Sequence, residues 1–298
     1  MNSSNTSAIE SKPPIPQAPG LSNDQISRFV QPRDSNAPTS SRSRPCSVKP
    51  VTFKVHDDRS GPLRAFLHVP RDYHRDMAEE QANAAAVLLA GADGGVLGPS
   101  SIYLSLADRV ASLQKGILTM RLDYRYPANQ KYCIKDVLAA MAYLENKYAI
   151  SCFVLVGWSF GGSLVATVGG SDKRVVGCAM LASQLAETDG IKTMAPRPLL
   201  LMHGTGDRTM RSSCSEELSE DYGEAGDKEL KLFEGDDHNL TDSSREAVEM
   251  LCDFVMKCAG AKTGAARSKL VQKGFVGDRG RLYLRENGVD LEEAEDMK

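Results

Sequence analysis

Residues 152–168 constrain this chain more than any other stretch. Cys152-Phe153-Val154-Leu155-Val156 is short, apolar and partly β-branched, which predicts a buried strand. Gly157-Trp158-Ser159-Phe160-Gly161-Gly162 follows, and Ser163-Leu164-Val165-Ala166-Thr167-Val168 then opens a helix. A strand that becomes a helix within so few residues needs a tight bend at Gly-x-Ser-x-Gly. The serine at the apex is expected to carry a strained backbone, and a Cβ at Gly157 or Gly161 would collide with the strand or the helix. The bend lifts the Ser159 hydroxyl clear of the sheet edge and turns the Phe160 amide toward the same space. The five-residue pattern also arises by chance, so its weight depends on what surrounds it.

The surroundings alternate. Val51 to Val55 and Leu63 to Val69 predict two strands joined by the turn Asp58-Arg59-Ser60-Gly61-Pro62. Ala84 to Ala90 is apolar throughout, as a buried parallel strand would be, and runs into Gly91-Ala92-Asp93-Gly94-Gly95. A helix is expected from about Ser100 to Gln114, with Gly116 as its cap. Strand 117–122 ends in Asp123-Tyr124-Arg125-Tyr126-Pro127, and a helix follows from about Gln130 to Lys147. Beyond the bend, strands are predicted at 174–181, 198–202 and 229–233, with helices at 212–225 and 243–258. Eight strands alternating with helices predict a mostly parallel α/β sheet covered on both faces, with the first two strands as an antiparallel hairpin at one edge.

Bulk properties exclude several classes. Apolar residues make up 41% and charged residues 25%, and the net charge is −3, so no basic excess points to nucleic acid. Seven scattered cysteines read as reduced core residues of a cytoplasmic protein, and no Cys or His spacing suits a metal. No apolar run spans a membrane, and no cofactor loop is present, because Gly91 to Gly95 lacks both the G-x-G-x-x-G spacing and a P-loop lysine. Residues 1–49, rich in Ser, Pro and Arg, are expected to be a disordered tail, with a cleaved organellar transit peptide as the alternative. Residues 50–260 are the expected catalytic domain, and 261–298 a loosely ordered extension.

The strand order, with Gly-x-Ser-x-Gly after the fifth strand, resembles the α/β-hydrolase fold. Two further marks sit where that family has them: Asp207 after the seventh strand, in His203-Gly204-Thr205-Gly206-Asp207, and His238 after the eighth, in Gly235-Asp236-Asp237-His238-Asn239. The resemblance covers about residues 51 to 259 and is nearest to the capless, dienelactone-hydrolase-like group, whose name-giving enzymes use a cysteine where this chain has Ser159. It implies Ser159 as nucleophile, His238 as base and Asp207 as orienting acid. Serine needs a base to remove its proton, imidazole titrates near neutrality, and the acid fixes the imidazole's tautomer. It implies an oxyanion hole from the amides of Phe160 and Ala92. Trp158, Asp93 and Gly94 are the candidate substrate-binding residues. Trp158 lines the acyl pocket or packs beside the bend, and Asp93 must point away from a developing oxyanion. Many members carry His-Gly where this chain has Ala90-Gly91.

Other roles are open for several residues. Asp189 is the substitute acid, His203 is expected to be a packed structural histidine, and Asp236 and Asp237 are expected to be solvated. His56, His68 and His74 read as surface residues, and Arg125 as a turn residue or a contact for an anionic substrate. The short connection from Ala182 to about Arg197 implies no large cap. The expected activity is hydrolysis of a small carboxylic ester or thioester. The alternatives are an acyl-protein thioesterase or peptidase-like hydrolase with the same three residues, or a non-catalytic binding protein on this fold. Oligomeric state is not specified by the sequence.

Overall fold

The predicted alternation is built. A computed structural model describes residues 46–73, 83–113 and 115–261, all within one compact unit, Arg42–Asp290. The strands are β1 (Cys46–Val55), β2 (Gly61–Pro70), β3 (Ala84–Leu89), β4 (Leu118–Asp123), β5 (Cys152–Trp158), β6 (Val175–Leu181), β7 (Leu199–Gly204) and β8 (Lys228–Phe233). The helices are α1 (Ile102–Ser112), α2 (Gln130–Tyr148), α3 (Phe160–Ser171), α4 (Ser213–Tyr222) and α5 (Ser244–Cys258). The tails expected at the two ends of the chain, and His74, lie outside the described residues, apart from Cys46 to Lys49 and Ala261.

One sheet holds all eight strands in the order β1-β2-β4-β3-β5-β6-β7-β8. β2 is antiparallel to both β1 and β4, and every other neighbouring pair is parallel. The alternation of side chains across the pleat divides the core in two. On β3, Ala85, Val87 and Leu89 face the layer that contains α2, α3 and α4. Ala86 and Leu88 face the layer of α1 and α5. Because both faces are covered, β3 and β5 read as continuous apolar runs rather than alternating ones. Among the described residues no helix is long and apolar enough to cross a membrane.

Boundaries shift in two places for identifiable reasons. β1 begins at Cys46, inside the stretch whose composition reads as tail, and carries Pro50 opposite Phe66. A proline is tolerated there because β1 is an edge strand. The predicted helix at 100–114 begins instead with a 3-10 turn at Pro99–Ser101, where Ser100 and Ser101 have φ of 47° and 59°. After α1 the left-handed residue is Lys115, at φ 60°. Gly116 is required for space instead: a Cβ there would stand 2.5 Å from the Val110 carbonyl oxygen.

Parallel strands end on one edge. The segments after β3, β4, β5, β6, β7 and β8 therefore gather at the carboxyl edge of the sheet, where ligands of open α/β sheets bind. A buried ion network steadies the flank of that edge. Arg125, just past β4, contacts Asp136 of α2 at 2.6 Å and Asp57 of the β1–β2 turn at 2.9 Å. Its side chain is 4% exposed. The two carboxylates hold the guanidinium well above its usual pKa. Arg125 is thus committed to joining the hairpin to α2, which answers for a structural role and against contact with an anionic substrate.

Candidate active site

Ser159 sits at the junction of β5 and α3 with φ 54° and ψ −117°, a conformation that L-residues rarely adopt and that costs on the order of 1–3 kcal/mol. Its amide donates to the Leu181 carbonyl of β6 at 2.8 Å, so the sheet ladder extends as far as the serine. A Cβ on Gly157 would meet the Gly161 oxygen at 2.2 Å, and one on Gly161 would meet the Leu89 oxygen at 2.3 Å. The second contact ties the bend to the end of β3. Phe160 is the first residue of α3, whose first amides have no acceptor within the helix and form its positive end.

Asp207 and His238, 31 residues apart, meet at this edge. The Asp207 Oδ2 lies 2.6 Å from His238 Nδ1, with the Asp207 side chain fully buried and that of His238 14% exposed. Asp207 Oδ1 accepts from the amides of Thr209 at 2.7 Å and Met210 at 2.9 Å. His203 also reaches this carboxylate, with Nε2 3.1 Å from Oδ2 and 3.1 Å from the Met210 carbonyl. Both partners of that nitrogen are acceptors, so it carries the proton, and Nδ1 accepts from the Ser215 hydroxyl at 2.7 Å. Burial pushes the His203 pKa down against the pull of Met210 and Asp207 and keeps the ring neutral. His203 is packed and structural, as expected. The spacing in His203-Gly204-Thr205-Gly206-Asp207 was the available signal that its ring and the carboxylate would touch.

His238 is held on its other side by Trp158. The indole Nε1 donates to the His238 carbonyl at 3.0 Å, and the two ring centroids are 5.3 Å apart. The opposite edge of the indole lies against Gly91, where a Cβ would stand 3.0 Å from the ring. Trp158 therefore packs between the loop after β3 and the loop after β8. The acidic residues beside His238 turn into their own loop. Asp236 is buried and accepts from the amides of Asp237, Asp242 and Ser243, and Asp237 accepts from Asn239 and Thr241. Asp236 is thus not the solvated charge that its neighbours suggested.

The loop after β3 is fixed from several sides. Gly94 bonds the Gly91 carbonyl at 3.1 Å, placing Ala92 and Asp93, both exposed, at the corner of a turn. Tyr103 donates to the Leu89 carbonyl at 2.9 Å and Tyr124 to the Ala90 carbonyl at 3.1 Å. Arg121 donates to the Val96 carbonyl at 3.2 Å, and the Gly95 amide donates to Asp123 Oδ1 at 3.3 Å. Gly94 packs on Pro127. Burial raises the Asp123 pKa.

Two sequence expectations fall elsewhere. Asp189 has a side chain 98% exposed beside Lys192, whereas the acid that touches His238 is Asp207. His56 is exposed, but His68 is completely buried, because α1 covers the face of β2 from which it projects and brings Asp108 to within 2.8 Å of its ring. Cys46, His68 and Asp108 form a group with the donor types of a metal site. The proton positions oppose one. Arg121 Nε donates to His68 Nε2 at 3.0 Å, so the His68 proton is on Nδ1, and Asp108 Oδ1 lies 2.8 Å from that nitrogen. That leaves no lone pair at Nδ1 for an ion.

No family model matches the chain, and no curated protein sequence does. Solved structures do. The esterase domain of a Rhodothermus marinus protein aligns over 71% of this chain and 98% of its own, with a TM-score of 0.55 and 20% identity. An α/β serine hydrolase without a lid from Xanthomonas campestris aligns over 72% and 97%, with a TM-score of 0.57 and 14% identity. A dienelactone hydrolase from Anabaena variabilis aligns over 70% and 99%, with a TM-score of 0.54 and 14% identity. Each of these chains is covered almost end to end. With β2 antiparallel at one flank, six parallel strands beyond it and the serine bend after β5, this chain has the α/β-hydrolase fold.

Proposed function

We propose that the protein is a serine hydrolase that cleaves a carboxylic ester or thioester, with Ser159 as nucleophile, His238 as general base and Asp207 as the acid that orients it. The observation that carries this reading is the double hold on His238. Asp207 accepts a hydrogen bond from its Nδ1–H at 2.6 Å, and the indole Nε1 of Trp158, the residue before Ser159, donates to its backbone carbonyl at 3.0 Å. A histidine with Nδ1–H committed to a carboxylate presents a lone pair at Nε2, the form a base needs.

In the proposed reaction, Nε2 accepts the Ser159 proton as Oγ attacks the acyl carbon. The carbonyl electron pair moves to oxygen, which is received by the amides of Phe160 and Ala92. The imidazolium, stabilised by Asp207, returns the proton to the departing alkoxide or thiolate, leaving Ser159 acylated. Water then repeats the sequence, releasing the acid and regenerating the serine. The positive end of α3 favours negative charge at the same point. Asp93 is exposed at its turn corner.

The segment between β6 and β7 supports a small substrate or one presented on a surface. It holds only a short 3-10 turn, Asp189–Thr193, and no inserted domain. A chromogenic short-chain ester assay on the wild type and Ser159→Ala tests the assignment. Loss of turnover in the variant is expected, and equal rates in the two proteins would contradict it.

A further inference from the structure

Tyr124 occupies a place that the proposed reaction leaves unexplained. It is 4% exposed and lies directly after β4. Its hydroxyl donates to the Ala90 carbonyl, two residues before Ala92. Its ring meets the Phe160 ring edge-on, with centroids 6.2 Å apart and planes at 88°. One side chain therefore touches both segments whose amides form the proposed oxyanion hole. Those segments also press together without it, since Gly161 of α3 stands against the Leu89 and Ala90 carbonyls. The separation of the two amides thus depends on how the loop lies against the start of α3, and Tyr124 contacts both.

We propose that Tyr124 is a positioning residue for the oxyanion hole, setting the distance between the Ala92 and Phe160 amides through its hydroxyl on Ala90 and its ring on Phe160. The inference rests on the serine-hydrolase reading above and goes beyond it by naming what holds the hole's two halves in register. Burial pushes the Tyr124 phenol far above its ordinary pKa, so the hydroxyl remains a donor throughout the working range. Of the other braces, Tyr103 bonds Leu89 and Val156, Arg121 bonds Val96 and Asp123 bonds Gly95, and none of these contacts reaches Phe160.

Such a residue affects the transition state more than the bound substrate, because the oxyanion exists only after attack. Tyr124→Phe removes the hydroxyl and keeps the ring. The expected result is a fall in kcat of about 10- to 100-fold with KM changed less than about threefold. An alkylboronic acid, whose boron takes the Ser159 oxygen as a fourth ligand, should bind more weakly by the same factor. Melting temperature is measured in parallel, so that loss of folded protein is not mistaken for loss of rate. Should Tyr124→Phe not fold, Phe160→Leu keeps the amide and removes the ring contact, and the same split is expected. With Ser159→Ala inactive, a kcat within about twofold of wild type in the folded variant would overturn the inference and leave the reaction standing. So would a loss appearing in KM alone. Turnover retained by Ser159→Ala would overturn both.

Discussion

Gly161→Ala perturbs the contact on which the site's geometry turns. The added Cβ would lie 2.3 Å from the Leu89 oxygen and 2.6 Å from the Ala90 oxygen, both backbone atoms that no rotamer change can move. Reaching the 3.4 Å at which ordinary contact begins requires the loop and α3 to separate by about 1 Å. Overpacking of this kind costs about 1–3 kcal/mol, offset by about 1 kcal/mol for replacing a helical glycine. The net loss is about 0–2 kcal/mol, or at most about 8 °C in melting temperature for a domain of this size. Activity suffers more, because the displaced loop carries Ala92, and a misplacement of about 1 Å reduces the rate about 100-fold. The control is Gly223→Ala. Gly223 follows α4 at φ 75° with nothing within 4 Å of its missing Cβ. It should lose about 1–3 kcal/mol through backbone strain and no kcat. Melting curves and kcat on a short-chain ester, measured for both variants, decide the matter. A Gly161→Ala enzyme within about threefold of wild-type kcat would refute the reasoning, as would equal kcat losses in the two variants.

Other perturbations separate the supporting interactions. The His203 pKa is lowered in the fold, so its contribution to stability is complete above its ordinary value of 6.5 and is lost as pH falls below it. Wild-type melting temperature should therefore fall between pH 7 and pH 5.5, and His203→Gln should fall less relative to its own value at neutral pH. Parallel curves would contradict the neutral, buried assignment. Arg125→Met leaves Asp136, which is fully buried, without its cation and should cost about 3 kcal/mol near pH 7. The Asp136 pKa is already raised by burial, so the folded variant takes up a proton more readily than the unfolded chain. The deficit against wild type should narrow on acidification, as urea titrations at two pH values would register; a constant gap would count against it.

The sheet and the meeting of Asp207 with His238 were legible for a common reason. Each depends on local chemistry: apolar runs of strand length, glycines where a bend allows no side chain, and an acid or histidine just past a strand end. Asp207 and His238 do meet, at 2.6 Å. What escaped was the direction of side chains across long separations. Trp158 bonds His238 across 80 positions, and Tyr124 bonds Ala90 across 34. Neither contact leaves a trace in local spacing. Asp236 looked solvated because two acids in a glycine-containing loop usually are, yet its carboxylate closes the loop on itself. His68 looked exposed because a hairpin was expected to have an open face. It is buried because α1 covers that face of β2 and brings Asp108 against its ring.

The central claim is that Ser159 is an activated nucleophile. A fluorophosphonate probe tests it most directly, since the activated serine oxygen displaces fluoride from phosphorus and retains the label. Incubation of folded wild-type protein followed by peptide mass spectrometry should place a single label on the peptide containing Ser159, and Ser159→Ala should remain unlabelled. A wild-type protein that is folded by melting and circular dichroism yet takes up no label, or takes it up on another serine, would contradict the assignment.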